Sequence, residues 1–379
     1  MKNLFYIGIV GLLLFEIANV YFIMPMPGSQ RMNSLDLAYF LYSWRWAFRA
    51  VFGLLILAGA ASAIRQSRWV ALVALVLVAG VGYAFNFRMA ADHMFYQPSS
   101  VQLQPASRNA VKPDREILGI KVNGQAKAYP IQFIGYHHQV LDTIGGQPIM
   151  VTYCTVCRTG RVFRPVINGK PATFRLVGMD HFNAMFEDAG TGSWWRQANG
   201  ESIAGSLKGD TLPEVFSEQM TLKQWMALHP HSLVMQPDTT FSERYAKMDT
   251  YERGKGSSDL TRMDSLSWHD KSWVVGLSVG KRSKAYDWNR LKRERLIQDT
   301  LANRPVLLVL ANDNRSFFAY ERPASPTRFV LRHDTLSSGT QSYALSGRSL
   351  GAGPGLVRLP AHQEFWHSWQ TFHPATGRY

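Results

Sequence analysis

The sequence predicts an α+β protein in which an all-α block of three transmembrane spans precedes a soluble domain of mainly antiparallel β-sheet, built from two repeated modules. Three observations predict this: apolar stretches near the start, strand and turn patterns after them, and a segment that recurs later in the chain. The predicted parts are a transmembrane anchor (1–91), a connector (92–113), a first α+β module (114–236), a linker (237–270) and a second, degenerate module (271–379).

The apolar stretches run from Leu4 to Met24, from Ala47 to Ile64 and from Trp69 to Phe85. Each is close to the ~20 residues that cross a bilayer core of roughly 30 Å. A cleavable signal peptide does not explain the first stretch, because no small-residue cleavage site follows it and two further apolar stretches do. Glu16, inside the first span, is interpreted either as a functional group or as a buried packing contact.

Basic residues indicate the orientation in the membrane. Counting crossings puts Lys2, Arg65 and Arg68 on one side, which the positive-inside rule makes cytoplasmic. Three basic residues near the first outer loop oppose this orientation: Arg31, Arg45 and Arg49. We expect a multi-pass protein of the inner (cytoplasmic) membrane whose soluble domain faces the periplasm or the outside.

The expected partner is the lipid bilayer, and a second membrane protein is a further candidate. The net charge of +14 is compatible with an anionic membrane surface. Lys and Arg are spread along the chain and form no block with interleaved aromatic residues of the kind that tracks nucleic acid, so nucleic acid is not an expected partner. No nucleotide cofactor is expected either, because neither a P-loop nor a Rossmann glycine pattern occurs in a fitting context.

The soluble part repeats itself. Residues 118–129 align without gaps to residues 275–286, and the same offset of 157 positions carries Pro148 onto Pro305. Near the end of each copy, residues 225–230 match residues 369–374. Two copies of one module explain these matches better than chance does.

Local patterns within a copy are mostly those of strands. Asn123-Gly124 lies between two strand-like segments and is typical of a two-residue hairpin turn. Thr221 and Gln224 form a capping-box pattern that predicts the start of a short helix, and Pro230 marks its end. Each copy is therefore expected to be an α+β module.

The only two cysteines of the chain are Cys154 and Cys157, which excludes a scaffold of several disulfides. In the second copy they align with Ala311 and Asn314, within an evident turn between two strands. The cysteines are therefore predicted to lie in a hairpin turn. In that geometry both sulfurs can face one metal ion at ~2.3 Å.

His137 and His138 precede a strand that is expected to pair with the strand 148–153, which leads into the cysteines. We therefore predict a site for zinc or copper with the ligands Cys154, Cys157, His137 and His138. Alternative donors in the same copy are Met179, His181 and Met185. The two thioethers would favour copper(I) over zinc.

Other functions of the cysteine pair stay open at this point. Thiol–disulfide exchange is one alternative, although oxidoreductase motifs of the thioredoxin type sit where a strand enters a helix, not in a hairpin turn. A non-catalytic, membrane-attached assembly protein is another, with the cysteines bracing the turn. The sequence does not decide whether the protein is an enzyme.

Several stretches resemble the domain-of-unknown-function family 3179. They are VNGQAKAYP (122–130), HHQVLDTIGGQP (137–148), VTYCTVCRTG (151–160), GSWWRQANGESIAGSLKG (192–209) and FWHSWQTFHP (365–374). The resemblance implies an exported or membrane-attached protein and no settled activity. This sequence has His137-His138 where many relatives have His-Glu, and Cys-Thr-Val-Cys-Arg where they have Cys-Pro-Leu-Cys-Gly.

Overall fold

The computed structural model describes residues 1–256, 258–323 and 328–379. A helical N-terminal block with three apolar helices is followed by a β-rich domain of antiparallel sheets, which confirms the predicted α+β class. The chain forms two compact units: residues 1–96, 172–196 and 201–211 in the first, and residues 97–171, 197–200 and 212–379 in the second. The module boundaries expected from the sequence stay a prediction.

The helices are α1 (Lys2–Tyr21), α2 (Leu35–Ser43), α3 (Arg45–Gln66), α4 (Arg68–Tyr83), α5 (Ala91–Met94), α6 (Ile131–His137), α7 (Leu222–Leu228), α8 (Ser242–Lys247), α9 (Trp288–Glu294) and α10 (Trp366–Phe372). A π-helical segment, Ala84–Arg88, continues α4. By length and composition, α1, α3 and α4 with this continuation are suited to cross a membrane, in agreement with the three predicted segments.

A polar triad joins the three long helices. Arg49 of α3 donates to both carboxylate oxygens of Glu16 of α1, at 2.7 and 2.9 Å. Asn86 of the π-helical segment donates to Glu16 at 2.8 Å and accepts from Arg49 at 2.6 Å. Glu16 thus has a partner in each of the other two long helices, as its interpretation as a packing contact requires.

The strands of the first half are β1 (Leu103–Pro105), β2 (Glu116–Val122), β3 (Gln125–Pro130), β4 (Gln139–Ile144), β5 (Gln147–Cys154), β6 (Thr159–Phe163), β7 (Val166–Ile167), β8 (Lys170–Pro171), β9 (Phe174–Asp180), β10 (Asn183–Asp188), β11 (Trp194–Arg196), β12 (Ser202–Ala204), β13 (Ser217–Thr221) and β14 (Leu233–Met235). Those of the second half are β15 (Trp273–Val279), β16 (Arg282–Asp287), β17 (Leu296–Leu301), β18 (Arg304–Leu310), β19 (Phe317–Glu321), β20 (Val330–Arg332), β21 (Thr335–Ser338), β22 (Gln341–Ala344), β23 (Val357–Leu359), β24 (Ala361–Phe365) and β25 (Gly377–Arg378).

Within the first unit, strands β9 to β12 form a four-stranded sheet beside the helical block. The backbone N–H of Met179 donates to the carbonyl of Ile23 at 2.7 Å. A Cβ on Gly178 would lie 2.3 Å from that same carbonyl oxygen, so this close approach requires glycine. The ring of Tyr39 packs edge-on against Trp194, with their centroids 5.0 Å apart.

Within the second unit, the two copies build their sheets in the same way. In the first copy β2 pairs antiparallel with β3 and β13, and β14 pairs parallel with β3. In the second copy β15 pairs antiparallel with β16 and β24, and β25 pairs parallel with β16. Each copy also has a β-meander, β4-β5-β6 in the first and β17-β18-β19 in the second.

Side-chain contacts repeat along with the backbone. Lys127 donates to Asp142 at 2.8 Å, and its counterpart Lys284 donates to Asp299 at 2.6 Å. A tyrosine of the same strand donates to each of these two carboxylates as well. The repeat found in the sequence therefore corresponds to two structurally equivalent sets of elements.

Candidate functional site

The cysteines lie in the turn between β5 and β6, as predicted. Cys154 ends β5 and pairs with Thr159, the first residue of β6. Residues 155–158 form the turn, and Arg158 adopts a positive φ of 55°. The equivalent turn of the second copy, between β18 and β19, contains Asn312, Asp313 and Asn314.

The two thiols are adjacent and buried. Cys154 is 1% exposed and Cys157 is 0% exposed, and they are not joined in a disulfide. Burial raises the pKa of the Cys157 thiol well above its usual value, and the hydrogen bond with Cys154 raises it further. A hydrogen bond with Ser368 and the charge of Lys271 oppose this shift. Cys157 is therefore a protonated thiol at neutral pH, and its thiolate form is disfavoured while the turn stays closed.

The ammonium group of Lys271 lies at the cysteine turn. Its Nζ donates to the carbonyls of Val156 and Leu260, both at 2.7 Å, and lies 3.2 Å from Nε2 of His367. Burial lowers the pKa of Lys271, whereas the adjacent cysteines act in the opposite direction. This ammonium group is placed to stabilise a thiolate at the turn.

Backbone carbonyls of the turn are held in place by long-range contacts. Tyr251 donates to the carbonyl of Thr155 at 2.9 Å, and His367 is 3.1 Å from that of Val156. The N–H of Phe365 donates to the carbonyl of Cys157 at 2.9 Å. Burial, and then the charge of Lys271, lower the pKa of His367 to about 3, so this imidazole is neutral at pH 7.

Arg158 lies at the centre of a buried polar cluster. Its guanidinium donates from Nε to Gln363 at 2.8 Å and from Nη2 to Glu116 at 3.0 Å, and it stacks over Trp273 at 3.6 Å from the ring centroid. Its Nη1 has no hydrogen-bond partner among the residues that the structure describes. Burial, and then the charge of Glu116, raise the pKa of the neighbouring Glu252 to about 7.

His137 and His138 lie together at the end of α6, and both are buried. Nε2 of His137 lies 2.7 Å from the hydroxyl of Tyr245, and Nδ1 of His138 lies 3.0 Å from the carbonyl of Tyr153. Burial lowers the pKa of His138 to about 4. Both imidazoles therefore have partners other than the cysteines.

The structure brings Cys154 next to Cys157 and His137 next to His138. Across the described residues, no three His, Cys, Asp or Glu side chains are grouped so that they could hold a metal ion. The alternative donors Met179, His181 and Met185 belong to the first compact unit, whereas the cysteines belong to the second. The four-ligand metal site stays a prediction.

Sequence reasoning missed Lys271, His367 and Arg158. His367 belongs to one of the stretches that carry the family resemblance, and Arg158 directly follows Cys157. Both positions could therefore have been identified from the sequence, but neither was among the metal ligands predicted around the cysteines. Lys271 has no such signal, because it lies 114 positions after Cys157 and only the fold brings it to the turn.

The profile of a family described as a protein of unknown function, DUF3179, matches residues 96–376. The chain belongs to the DUF3179 family. The match covers the cysteine turn and nearly all of both copies of the repeat, and it begins after the three long apolar helices. A comparison with curated proteins and one with solved structures found no match.

Proposed function

We propose that this DUF3179 protein is a membrane-anchored thiol–disulfide protein in which Cys154 and Cys157 form one redox pair. The observation that carries the proposal is the direct contact of two thiols in a turn that has no third metal ligand grouped with them among the described residues. The ammonium of Lys271 and the hydroxyl of Ser368 favour the thiolate form that exchange requires.

The reaction joins the two sulfurs in one bond and releases two protons and two electrons. A small disulfide accepts them and is reduced to two thiols. Since both cysteines are buried and the pKa of Cys157 is raised, exchange is expected to be slower than for an exposed pair.

The test counts thiols in the full-length protein, reconstituted in lipid nanodiscs, after incubation with reduced or oxidised dithiothreitol. We expect two thiols after reduction, none after oxidation, and full recovery when reductant is added again. A sample oxidised while denatured serves as the positive control, and Cys157→Ser as the single-thiol control. Two thiols that persist in oxidised dithiothreitol, while the denatured sample loses both, would overturn the proposal.

Binding of a soft or borderline metal ion, zinc or copper, is the second candidate function. The specific observation in its favour is the Nδ1 contact of His138 with the Tyr153 carbonyl, because a ligating histidine usually donates its other ring N–H to such a group. Cys154 and Cys157 would supply the sulfurs. Elemental mass spectrometry on the purified full chain should find about one ion per chain, lost in Cys154→Ser. A metal-free protein would exclude this candidate.

The proposed location of the soluble part is outside the cytoplasm, in the periplasm or its equivalent. Lys2, Arg65 and Arg68 support it through the positive-inside rule. Disulfides persist outside the cytoplasm, where the redox pair would have a role. A protease added to right-side-out membrane vesicles should therefore digest the soluble part. Protection until the vesicles are lysed would show the opposite orientation.

A further inference from the structure

Arg161 occupies a position that the other copy fills with an apolar side chain. It pairs with Thr152 in the β5–β6 hairpin, and Phe318 pairs with Val309 in the β18–β19 hairpin. The two positions are separated by 157 residues, the same offset that relates residues 118–129 to residues 275–286. The repeat thus provides an internal comparison of arginine with phenylalanine in one framework.

Glu364, the ion-pair partner of Arg161, also occupies a position that has an apolar side chain in the other copy. Arg161 Nη2 donates to Glu364 at 2.6 Å, and the two side chains are only 4% and 1% exposed. Glu364 pairs with Val274 in the second copy, and at the equivalent place in the first copy Met220 pairs with Ile117. Both Phe318 and Met220 are buried.

A buried ion pair is costly, and replacing it by apolar side chains is often neutral or stabilising. Because Phe318 and Met220 fill the equivalent positions of the same fold, packing alone does not require Arg161 and Glu364.

Arg161 lines a cleft of about 510 Å³ in the second compact unit. This volume is within the range of small-molecule sites. Part of the wall is apolar and includes Trp369, Phe372 and Pro374. The remaining wall includes the basic residues Lys281 and Arg282, both exposed at the β15–β16 turn.

One exposed carboxylate lies at the polar end of this cleft. An oxygen of Glu214 is 3.7 Å from Arg161 Nη1 and 3.5 Å from His362 Nε2. The Arg161 distance exceeds that of a hydrogen bond, and the His362 distance is at its outer limit. The Glu214 side chain is 42% exposed and can move into solvent. The space between Arg161 and His362 thus has the geometry of a loosely occupied carboxylate site.

The charge around the cleft favours an anion. Glu364 balances Arg161 from behind, and Glu214 is the carboxylate among the lining residues, against Lys281 and Arg282. Burial lowers the pKa of His362 well below its usual value, and a hydrogen bond with the backbone of Gly160 opposes this shift, so this imidazole is neutral and adds no charge to the cleft. If Glu214 turned outward, an excess of positive charge would face the cleft.

We propose that this cleft binds a small organic acid, whose carboxylate replaces that of Glu214 between Arg161 and His362 and whose apolar body lies against Phe372 and Pro374. The site is separate from the redox pair and does not depend on the function proposed for it.

The test is calorimetric titration of the full-length protein in nanodiscs with benzoate, a flat aromatic carboxylate, and empty nanodiscs as the blank. We expect saturable binding at one site, with acetate and inorganic phosphate binding more weakly. Glu214→Gln should raise the affinity for benzoate severalfold, because the competing carboxylate is removed.

The decisive variant is the double substitution Arg161→Phe/Glu364→Met, which gives each position the side chain that its equivalent has in the other copy. It leaves the net charge unchanged, so a loss of binding cannot come from general electrostatics. We expect the affinity to fall at least about tenfold while thermal unfolding stays that of the parent. If the double variant does not fold, Lys281→Gln, at an exposed position, should still weaken benzoate binding.

Three outcomes would overturn the proposal. One is no benzoate binding up to about 10 mM, which is weaker than most specific sites. Another is equal binding by the parent and by a folded double variant, which would place the ligand elsewhere. The third is binding of phosphate in preference to benzoate, which would exclude an organic acid as the ligand class.

Discussion

Glu252 is a buried carboxylate beside Arg158, and its pKa is raised from the ordinary 4.5 to about 7. The folded protein therefore holds this proton more tightly than the unfolded chain does. The resulting stabilisation is complete below pH 4.5 and is lost as the pH rises through 7. Oε2 of Glu252 also accepts from the N–H of Glu116 at 3.1 Å, a bond that an amide oxygen can retain.

We expect Glu252→Gln to remove the loss of stability that the parent shows as the pH rises. Relative to the parent, its free energy of unfolding should rise by about 3 kcal/mol between pH 4.5 and about pH 8. Denaturant titration of the full chain, followed by tryptophan fluorescence, measures it. Glu243→Gln, an exposed glutamate of α8, is the control and should show no such trend. Parallel pH curves for the parent and Glu252→Gln would contradict the expectation.

At this scale the sequence predicted the position of the cysteines but not their surroundings. The turn is local, so the alignment of the copies was enough to place Cys154 and Cys157 in it. The contacts of His137 with Tyr245 and of His138 with the Tyr153 carbonyl depend on tertiary packing. Spacing along the chain therefore indicated candidate ligands but could not show that Nε2 of His137 and Nδ1 of His138 contact groups other than the cysteines.

Helix-to-sheet packing in each copy depends on one glycine and one tryptophan. A Cβ on Gly276 would lie 2.1 Å from the ring of Trp369, and one on Gly119 would lie 2.3 Å from the ring of Trp225. Each indole is also fixed by a hydrogen bond from Nε1, at 2.8 Å for Trp369 and 2.7 Å for Trp225. Neither ring can move aside without losing that bond.

Gly276→Ala is therefore expected to destabilise the protein by roughly 1–3 kcal/mol, the usual cost of overpacking a core. Thermal unfolding of the full chain would report it as a lower midpoint. Gly351→Ala is the matched control, since a Cβ there meets nothing within 4 Å. An unchanged midpoint for Gly276→Ala would mean that β15 and α10 separate easily.

Elements with local signals were predicted well. The β2–β3 hairpin turns at Asn123-Gly124, and the Thr221 side chain accepts from the N–H of Gln224 at the start of α7, as the capping pattern predicts. Helix α6 was not predicted, because it contains Gly135, has no side-chain cap and lacks a polar face. Burial under the surrounding strands, not helix propensity, accounts for it.

For the whole molecule, the polar triad of the helical block is a buried polar contact between α1, α3 and the π-helical segment. Removing one charge leaves the other buried without its partner, which typically costs about 3–5 kcal/mol. Arg49→Met should therefore destabilise the helical block more than Arg49→Met/Glu16→Met does. Unfolding of the full chain in mixed micelles, followed by helical circular dichroism, measures both.

A double-mutant cycle that compares the two single substitutions at Glu16 and Arg49 with the double substitution is the control for this prediction. A large favourable coupling between Glu16 and Arg49 is expected, since they share two hydrogen bonds. Additive effects of the two single substitutions would show that the pair contributes no coupling. Asn86→Ala should have a smaller effect, because it removes a neutral partner and no charge.

The duplication has a consequence for symmetry. A module that assembled as two identical chains would carry the same residue at both equivalent positions, so each change in one half would be imposed on the other. Joining the copies in one polypeptide removes this constraint. It allows arginine at position 161 beside phenylalanine at position 318, and a cysteine pair in one turn beside Ala311 and Asn314 in the other. One half can thus change its chemistry while the other keeps the framework.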